Sequence, residues 1–525
     1  MSESATQQKQ QIFVRESTGL VKSVSFFDTL SLNISNMSIG GLLGGLGINL
    51  ITSTAIFPSL VGVNLVVASL LGFLLSVPQI VLYTMMTRRY PRTGGDYVWV
   101  SRNLGGFFGS TISFMGYTME TTAYMALVTI LAVFAIGGVG VALGHFEYLG
   151  IALPSDIPGA IPSQQFAVGA ILFAALVGIN VFKPKFGYKL VSYLTIIGIA
   201  TLFLSILTLL AAGHSGVVNF VNGLQDGAGK PISFSAVESS YSGPSFDLGA
   251  TLFVMPVLFA FVYPWLNAAP AVASEIKGRG AVRWNVPLSA LIALVLTTAA
   301  LGTLYYVAGQ PFVNASMANP ALVFFNNLNF FTLAMGVAPN AAVSVIIGLG
   351  WIVWIVAILA YGIIVISRYL LAQSFDRFLP AKVSFVSPRF GSPVIAHAID
   401  LVFTISLVGL ASYYFAGASS LFGAIAGSMI YFVFVGLAAV LHARKNERGG
   451  ARTLLMLAGV GNIIVFSYVT WLFLFNYSTW GVNILSGGFN VFSIILGASL
   501  YLAARSYLRR RGIDISLAYK EIPPE

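Results

Sequence analysis

The sequence predicts an all-α integral membrane protein of about twelve transmembrane helices, built as two five-helix repeats of inverted topology followed by two further helices. Three observations carry that prediction. The chain is 57% hydrophobic and only 8% charged, whereas soluble domains carry about 25% charged residues, so it cannot clothe a water-facing surface. Apolar runs of the roughly 20 residues needed to cross a bilayer recur along its whole length. Two of these runs, five spans apart, carry residues that interrupt helices.

In chain order, runs bounded by Gly, Pro and charge place helices near 24–50, 55–87, 106–139, 165–182, 189–212, 247–272, 287–308, 340–372, 394–414, 418–442, 453–476 and 485–505. Period-2 alternation is missing, which disfavours a β-barrel. The chain then divides into an N-terminal tail (1–22), a first repeat (23–212) and an external loop (213–246). A second repeat (247–443), two last helices (444–505) and a C-terminal tail (506–525) follow. The loop is rich in Ser and Gly and is expected to be mobile and to shield an outer vestibule.

The cations test this map. Arg88, Arg89, Arg92 and Arg102 follow helix 2; Lys183, Lys185 and Lys189 follow helix 4; Lys277, Arg279 and Arg283 follow helix 6. Arg368, Arg377, Lys382 and Arg389 follow helix 8, and Arg444, Lys445, Arg448 and Arg452 follow helix 10. The odd-numbered connections hold one cation, Lys230, beside Glu147, Asp156, Asp226 and Glu238. Under the positive-inside rule both termini are expected in the cytoplasm and the chain in the cell membrane. The net charge of +10 is thus a topology signal, and the expected partner is lipid, not nucleic acid. The polar first twenty or so residues lack the apolar core of a signal peptide, so the first helix is expected to be its own insertion signal.

Enzymatic chemistry is not expected. Cysteine is absent, which removes thiolate metal sites and disulfides. "GLQDGAGKP" has the wrong spacing for a phosphate loop, and "GGLGIN" lacks the strand–helix context of a dinucleotide fingerprint. The four histidines are scattered: His145 and His214 fall in external loops, His397 enters helix 9 and His442 lies at the inner boundary. No catalytic group, metal or cofactor is therefore predicted.

The interruptions are more informative. "SIGGLLGGLGIN" (38–49) places five glycines in helix 1, each costing roughly 1 kcal/mol of helix stability relative to Ala. Helix 6 holds Pro256, Pro264 and Pro270 in one span, and proline both removes an amide donor and clashes with the preceding turn. Unwound backbone at membrane depth is tolerated only where it lines a cavity. Amides freed there bind a carboxylate and carbonyls an ammonium group, so a facing pair of broken helices suits a zwitterion, and paired breaks in successive repeats point to a transporter. The competing account has the glycines as small-residue helix contacts and the prolines as kinks.

At these residues the chain resembles the amino acid–polyamine–organocation transporters. Gly41–Ile48 is similar to their helix 1 glycine motif, and "YPRTGGDYVWVSRNLGG" (90–106) to their helix 2–3 connection. "ASEIKGRGAVRWNVP" (273–287) resembles the stretch after helix 6, and "SRYLLAQSFDRFLP" (367–380) the segment leaving helix 8. The resemblance implies the five-plus-five fold called LeuT-like, with discontinuous helices 1 and 6. It implies that amides around Gly45, Leu46 and Gly47 hold a substrate carboxylate, with carbonyls near Leu43, Phe261 and Pro264 facing its amino group. Phe261 falls at the family's aromatic lid, and Met119, Glu120 and Tyr124 where helix 3 lines the pocket. Trp265–Leu266–Asn267 replaces the family's usual Gly–Phe–Glu, which makes Trp265 and Asn267 candidates to alter specificity and gating.

Glu120 lies about fourteen residues into helix 3, where an unpaired acid costs about 3 kcal/mol or more. It is expected to hold the cationic end of a substrate or to carry a coupling proton; the alternative is a protonated Glu bonded to a neighbouring helix. Asp28 and Asp247 are expected to be helix caps. Arg368 and Asp376 could join an inner gate, although exposed charges are the simpler expectation, and a solvated role for His397 and Asp400 stays open. Helix 5 has no ionisable residue at depth and the inner part of helix 8 offers only Tyr361 and Ser367, which disfavours lysine-linked proton coupling and sodium coupling. The expected function is a secondary transporter or exchanger of an amino acid or related amine working by alternating access, with a cationic amino acid or polyamine slightly favoured. The alternatives are a proton-coupled carrier of neutral amino acids or other small solutes, and a non-transporting membrane subunit or receptor on the same scaffold.

Overall fold

A computed structural model describes residues 22–45, 60–155, 157–414, 417–477 and 479–522. Helices dominate these residues, and among them only isolated bridges, no strands, are found. Among the described residues, ten helices are long and apolar enough to cross a membrane. Gly106–Ala142 is the most enclosed and Ile484–Arg509 the least, with 89% and 22% of their apolar windows buried; the first is the core of the bundle and the second faces outward.

The other two predicted spans are the broken ones, and their halves are short. The first runs as Phe26–Asn36 and Ile39–Gly45, with Met37 and Ser38 outside helical geometry. Ser25 and Asp28 form a reciprocal capping box at its start. The second runs as Leu248–Phe253, Met255–Phe261 and Ala268–Ala271, capped at its start by Asp247. Of its prolines, Pro256 opens the middle piece, Pro264 lies in the unwound stretch and Pro270 falls in the last short turn.

The glycine cluster behaves differently from the prolines. Gly40, Gly41, Gly44 and Gly45 are all helical, and the break lies one turn earlier at Met37–Ser38. A Cβ on Gly40 would stand 2.8 Å from the Trp354 ring, and one on Gly44 2.3 Å from the Trp351 indole nitrogen. These glycines let the half-helix press onto two buried tryptophans of the Ala341–Phe375 helix. Trp354 is received from the other side by Gly198 of the Pro184–Asn222 helix, at 2.7 Å from a built Cβ.

Segment 213–246 also departs from its expectation as a mobile loop. Gly213, at φ +61, kinks the Pro184–Asn222 helix instead of ending it, and a further turn forms at Phe234–Ser239. Phe234 stacks on Phe312 with ring centroids 4.1 Å apart, anchoring the segment to the helices.

Candidate functional site

The two breaks face each other. A Cβ on Gly41 would lie 3.5 Å from the Phe261 ring, and Asn36 at the end of one half-helix donates to Asn267 at the end of the other break, 2.8 Å. Asn33 strengthens the clamp. Its carbonyl oxygen accepts from the Ala269 amide at 2.9 Å and its amide donates to Asn285 at 3.3 Å. All of these side chains are buried, where each unmade hydrogen bond would cost about 1–3 kcal/mol.

Unwinding leaves backbone groups unused. At the first break the Ser38 amide turns back to the Asn36 carbonyl (2.9 Å) and the Ile39 amide to that of Met37 (2.5 Å). Among the described residues, the Gly40 and Gly41 amides have no acceptor; they open the half-helix that carries the glycines, at its positive end. At the second break the Leu258 carbonyl receives both the Val262 and Tyr263 amides, and the Pro264 carbonyl receives Leu266 (2.9 Å). The carbonyls of Phe261, Val262 and Tyr263 accept nothing among the described residues.

Aromatic rings close over this ground. Trp265 donates its indole N–H to the Ala260 carbonyl (2.7 Å) and stacks on Tyr124, centroids 5.2 Å apart and planes 19° from parallel. Tyr124 donates to Ser38 at 2.7 Å, tying the Glu120–Ala142 helix to the first break. Phe261 adds contacts to Tyr124 and to Phe422. A bulky Trp in the unwound turn is thus held in place, filling space beside Tyr124.

Glu120 is fully buried. It follows a stretch of π-helix, Phe114–Met119, whose wider turns free carbonyls. Ser428 on the Ala426–Asn446 helix reaches both the Gly116 carbonyl (2.7 Å) and one Glu120 carboxylate oxygen; the other oxygen has no partner among the described residues. A hydroxyl has one proton. That proton is shared between the two acceptors, unless the Glu120 carboxyl itself carries a proton and donates it to Ser428.

The candidate residues therefore do not all meet. Tyr124, Phe261, Trp265 and Asn267 gather around the breaks, with Pro264 in the unwound chain, while Glu120, one turn before Tyr124, faces Ser428. Leu43 and Gly45 lie in the half-helix past Gly41, and Leu46 and Gly47 fall outside the described residues. Met119 turns the other way, into a separate apolar cluster with Ile366, Leu370 and Phe378. Asn33, Asn36 and Ser38 were not anticipated, although two asparagines three residues apart in an apolar run were a legible signal.

A family model described as "Amino acid permease" matches residues 25–500. The chain belongs to the amino acid permease family, within the amino acid–polyamine–organocation superfamily. It is also similar to "Uncharacterized protein 399" of Sulfolobus islandicus rod-shaped virus 1, with 21% identity over 391 residues, 74% of each chain. With ten long apolar helices among its described residues, the permease is a multi-pass membrane protein, and its family points to a transporter of a small molecule.

At its basic end the permease is closed by buried charge. Arg368 pairs with Glu275 at 2.9 and 3.1 Å, and Tyr188 donates to the same carboxylate at 2.9 Å. Asp376 holds Arg102 through both oxygens, the longer contact being 2.7 Å, and accepts from Tyr97 at 2.8 Å. Asp96 accepts from Tyr83 at 2.5 Å and from Tyr369. Arg368 and Asp376 are thus not exposed charges: they are 4% and 0% accessible, because their partners arrive from distant connections. Burial outweighs the tyrosine hydrogen bonds at Asp96 and pushes its carboxyl up to about 6. Gly94 and Gly95 bring this motif in at φ +87 and +43, and a Cβ on Gly95 would stand 2.9 Å from the Pro270 backbone; a side chain has neither the room nor the conformation.

His397 and Asp400 are not solvated either. Both are buried; Asp400 accepts from Thr404 at 3.0 Å, while its second oxygen and His397 Nδ1 have no partner among the described residues.

Proposed function

We propose that the permease carries an amino acid by alternating access, binding it between its two broken helices. The observation that supports this best is the facing pair of breaks, joined by Asn36–Asn267, with free amides on one side and free carbonyls on the other. The substrate carboxylate sits at the Gly40 and Gly41 amides, earlier in the chain than the Gly45–Gly47 stretch favoured by the resemblance. Its amino group faces the Phe261–Tyr263 carbonyls, and Trp265 and Tyr124 bound the side-chain space. The two broken spans and the ten long helices make twelve crossings, arranged as the LeuT-like five-plus-five repeat plus two. The basic end is cytoplasmic, with both termini inside the cell membrane.

Glu120 serves as a proton carrier in this proposal, since its contact with Ser428 suits a neutral carboxyl. That favours a neutral amino acid with proton coupling over a cationic substrate. The second reading, a cationic amino acid or polyamine paired with Glu120, draws on the unpartnered carboxylate oxygen. Uptake of a labelled amino acid panel into proteoliposomes decides between them. Glu120→Gln is expected to abolish the dependence of uptake on a pH gradient while neutral substrates still exchange. Selective loss of cationic substrates instead would establish the second reading, and no uptake of any solute by the wild type would refute both.

A further inference from the structure

A cavity of about 870 Å³ opens at the basic end, away from the breaks, between segment 377–382 and the last long helix. Its lining divides by chemistry. Arg377, Lys382 and Arg511 stand at one side, while Leu500, Ala503 and Ala504 form an apolar floor along the helix Ile484–Arg509. No acidic residue lines it. Asp376 is turned to Arg102, and Asp514 caps Ser516. Among the described residues no carboxylate pairs with any of the three cations. The helix forming the floor is the least enclosed of the long helices, so the groove continues onto a surface that meets lipid.

Arg377 adds an independent observation. It follows the Ala341–Phe375 helix at φ 62. Its amide bonds to Ser374 (2.9 Å) and the next, of Phe378, to Gln373 (3.0 Å). This is the helix stop in which glycine is the usual residue. An arginine there is strained backbone, and strain retained at a ligand-facing position points to the side chain's use. Arg511 is placed as well, lying over the Tyr507 ring at 4.4 Å.

We propose that this cavity binds an anionic phospholipid, with the phosphate among Arg377, Lys382 and Arg511 and an acyl chain along Leu500, Ala503 and Ala504. Charge and shape select that occupant together: three cations with no carboxylate partner among the described residues ask for an anion, and an apolar floor running into the bilayer asks for a tail on it. Basic residues at a membrane surface each favour anionic lipid about fivefold. Bound there, the lipid bridges the segment leaving the Ala341–Phe375 helix, which carries Asp376 and Arg368 of the buried closure, to the outermost helix.

Native mass spectrometry of the whole permease, with phosphatidylglycerol or phosphatidylcholine added, tests this. Phosphatidylglycerol should be retained preferentially, and the combined Arg377→Gln, Lys382→Gln and Arg511→Gln variant should lose that preference by roughly 100-fold. Neutralising Arg444, Lys445 and Arg452 at the same end should leave it intact. Ala503→Trp, which fills the groove without changing charge, should expel the lipid, and Arg377→Lys with Arg511→Lys should keep it. Equal retention of both lipids, or equal losses in the two neutralised variants, would overturn the proposal. So would inorganic phosphate displacing phosphatidylglycerol as effectively as lipid does, since the site would then take a free anion.

Discussion

The two ends of the bundle are shut by different chemistry. At the basic end, three buried carboxylates meet two arginines and a ring of tyrosines: Arg368–Glu275, Arg102–Asp376 and Asp96 between Tyr83 and Tyr369. At the opposite end the described contacts that join separate segments are neutral, and the His145–Glu147 pair is local and exposed. Phe234 lies flat on Phe312, Phe146 stacks on Phe325, and Asn314 donates to the Leu60 and Val63 carbonyls at 2.9 Å each. A buried ion pair has a sharp geometry and fails abruptly when one partner leaves, whereas stacked rings lose contact gradually. The difference suits an end that is either sealed or open, set against one that loosens by degrees.

The largest expected effect comes from breaking that pairing. Glu275→Leu should cost about 3–5 kcal/mol, since it strands Arg368 among buried groups, and be read as a fall in thermal stability. Pairing it with Arg368→Met should restore most of the loss; if the double variant is as unstable as the single one, the charge is not what holds the end.

Proton linkage should separate the two ends next. With its carboxyl raised from 3.8 to about 6, Asp96 favours the buried, closed arrangement in its protonated form. Its contribution is full below about pH 4 and is lost as pH rises through about 6, an amount of about 3 kcal/mol. The chain has no cysteine, so Ala372→Cys beside Gly94 gives a clean alkylation probe. Divided by the rate of a free thiol at the same pH, which removes the ordinary rise in thiolate, its reactivity should climb between pH 4 and 6, stay flat in Asp96→Asn, and have no counterpart for a cysteine at the neutral end.

Much of this was legible in the sequence. Span positions followed from apolar runs, and the second break followed from Pro264, because proline's missing donor acts locally. The first break was not legible in the same way. Glycine serves both breaks and close contacts, and here Gly40 and Gly44 receive Trp354 and Trp351. The chain opens instead at Met37–Ser38, where no residue is a helix breaker and side chains remote in sequence, Asn267 and Tyr124, fix the path. The burial of Arg368 and Asp376 was hidden for the same reason, since their partners lie 93 and 274 positions away. Segment 213–246 looked like a loop by composition, yet Phe234 gains an aromatic partner that only the fold supplies.

Smaller effects sharpen the contrast. Asn36→Leu should cost about 1–3 kcal/mol by leaving Asn267 unpaired, and should lower uptake far more than it lowers stability. At the neutral end, a double-mutant cycle on Phe234 and Phe312 should give a coupling of about 0.5–1.5 kcal/mol that salt does not change. A salt-sensitive coupling there would remove the distinction between the ends.

The central claim, that the Gly40 and Gly41 amides and the Phe261–Tyr263 carbonyls left unpaired at the breaks around Met37–Gly41 and Val262–Asn267 form the binding site, is met most directly by hydrogen–deuterium exchange. In the solubilised permease those two stretches should exchange faster than the helices flanking them, and slow together when a transported amino acid is added. Protection equal to that of the flanking helices, unchanged by any substrate, would contradict it.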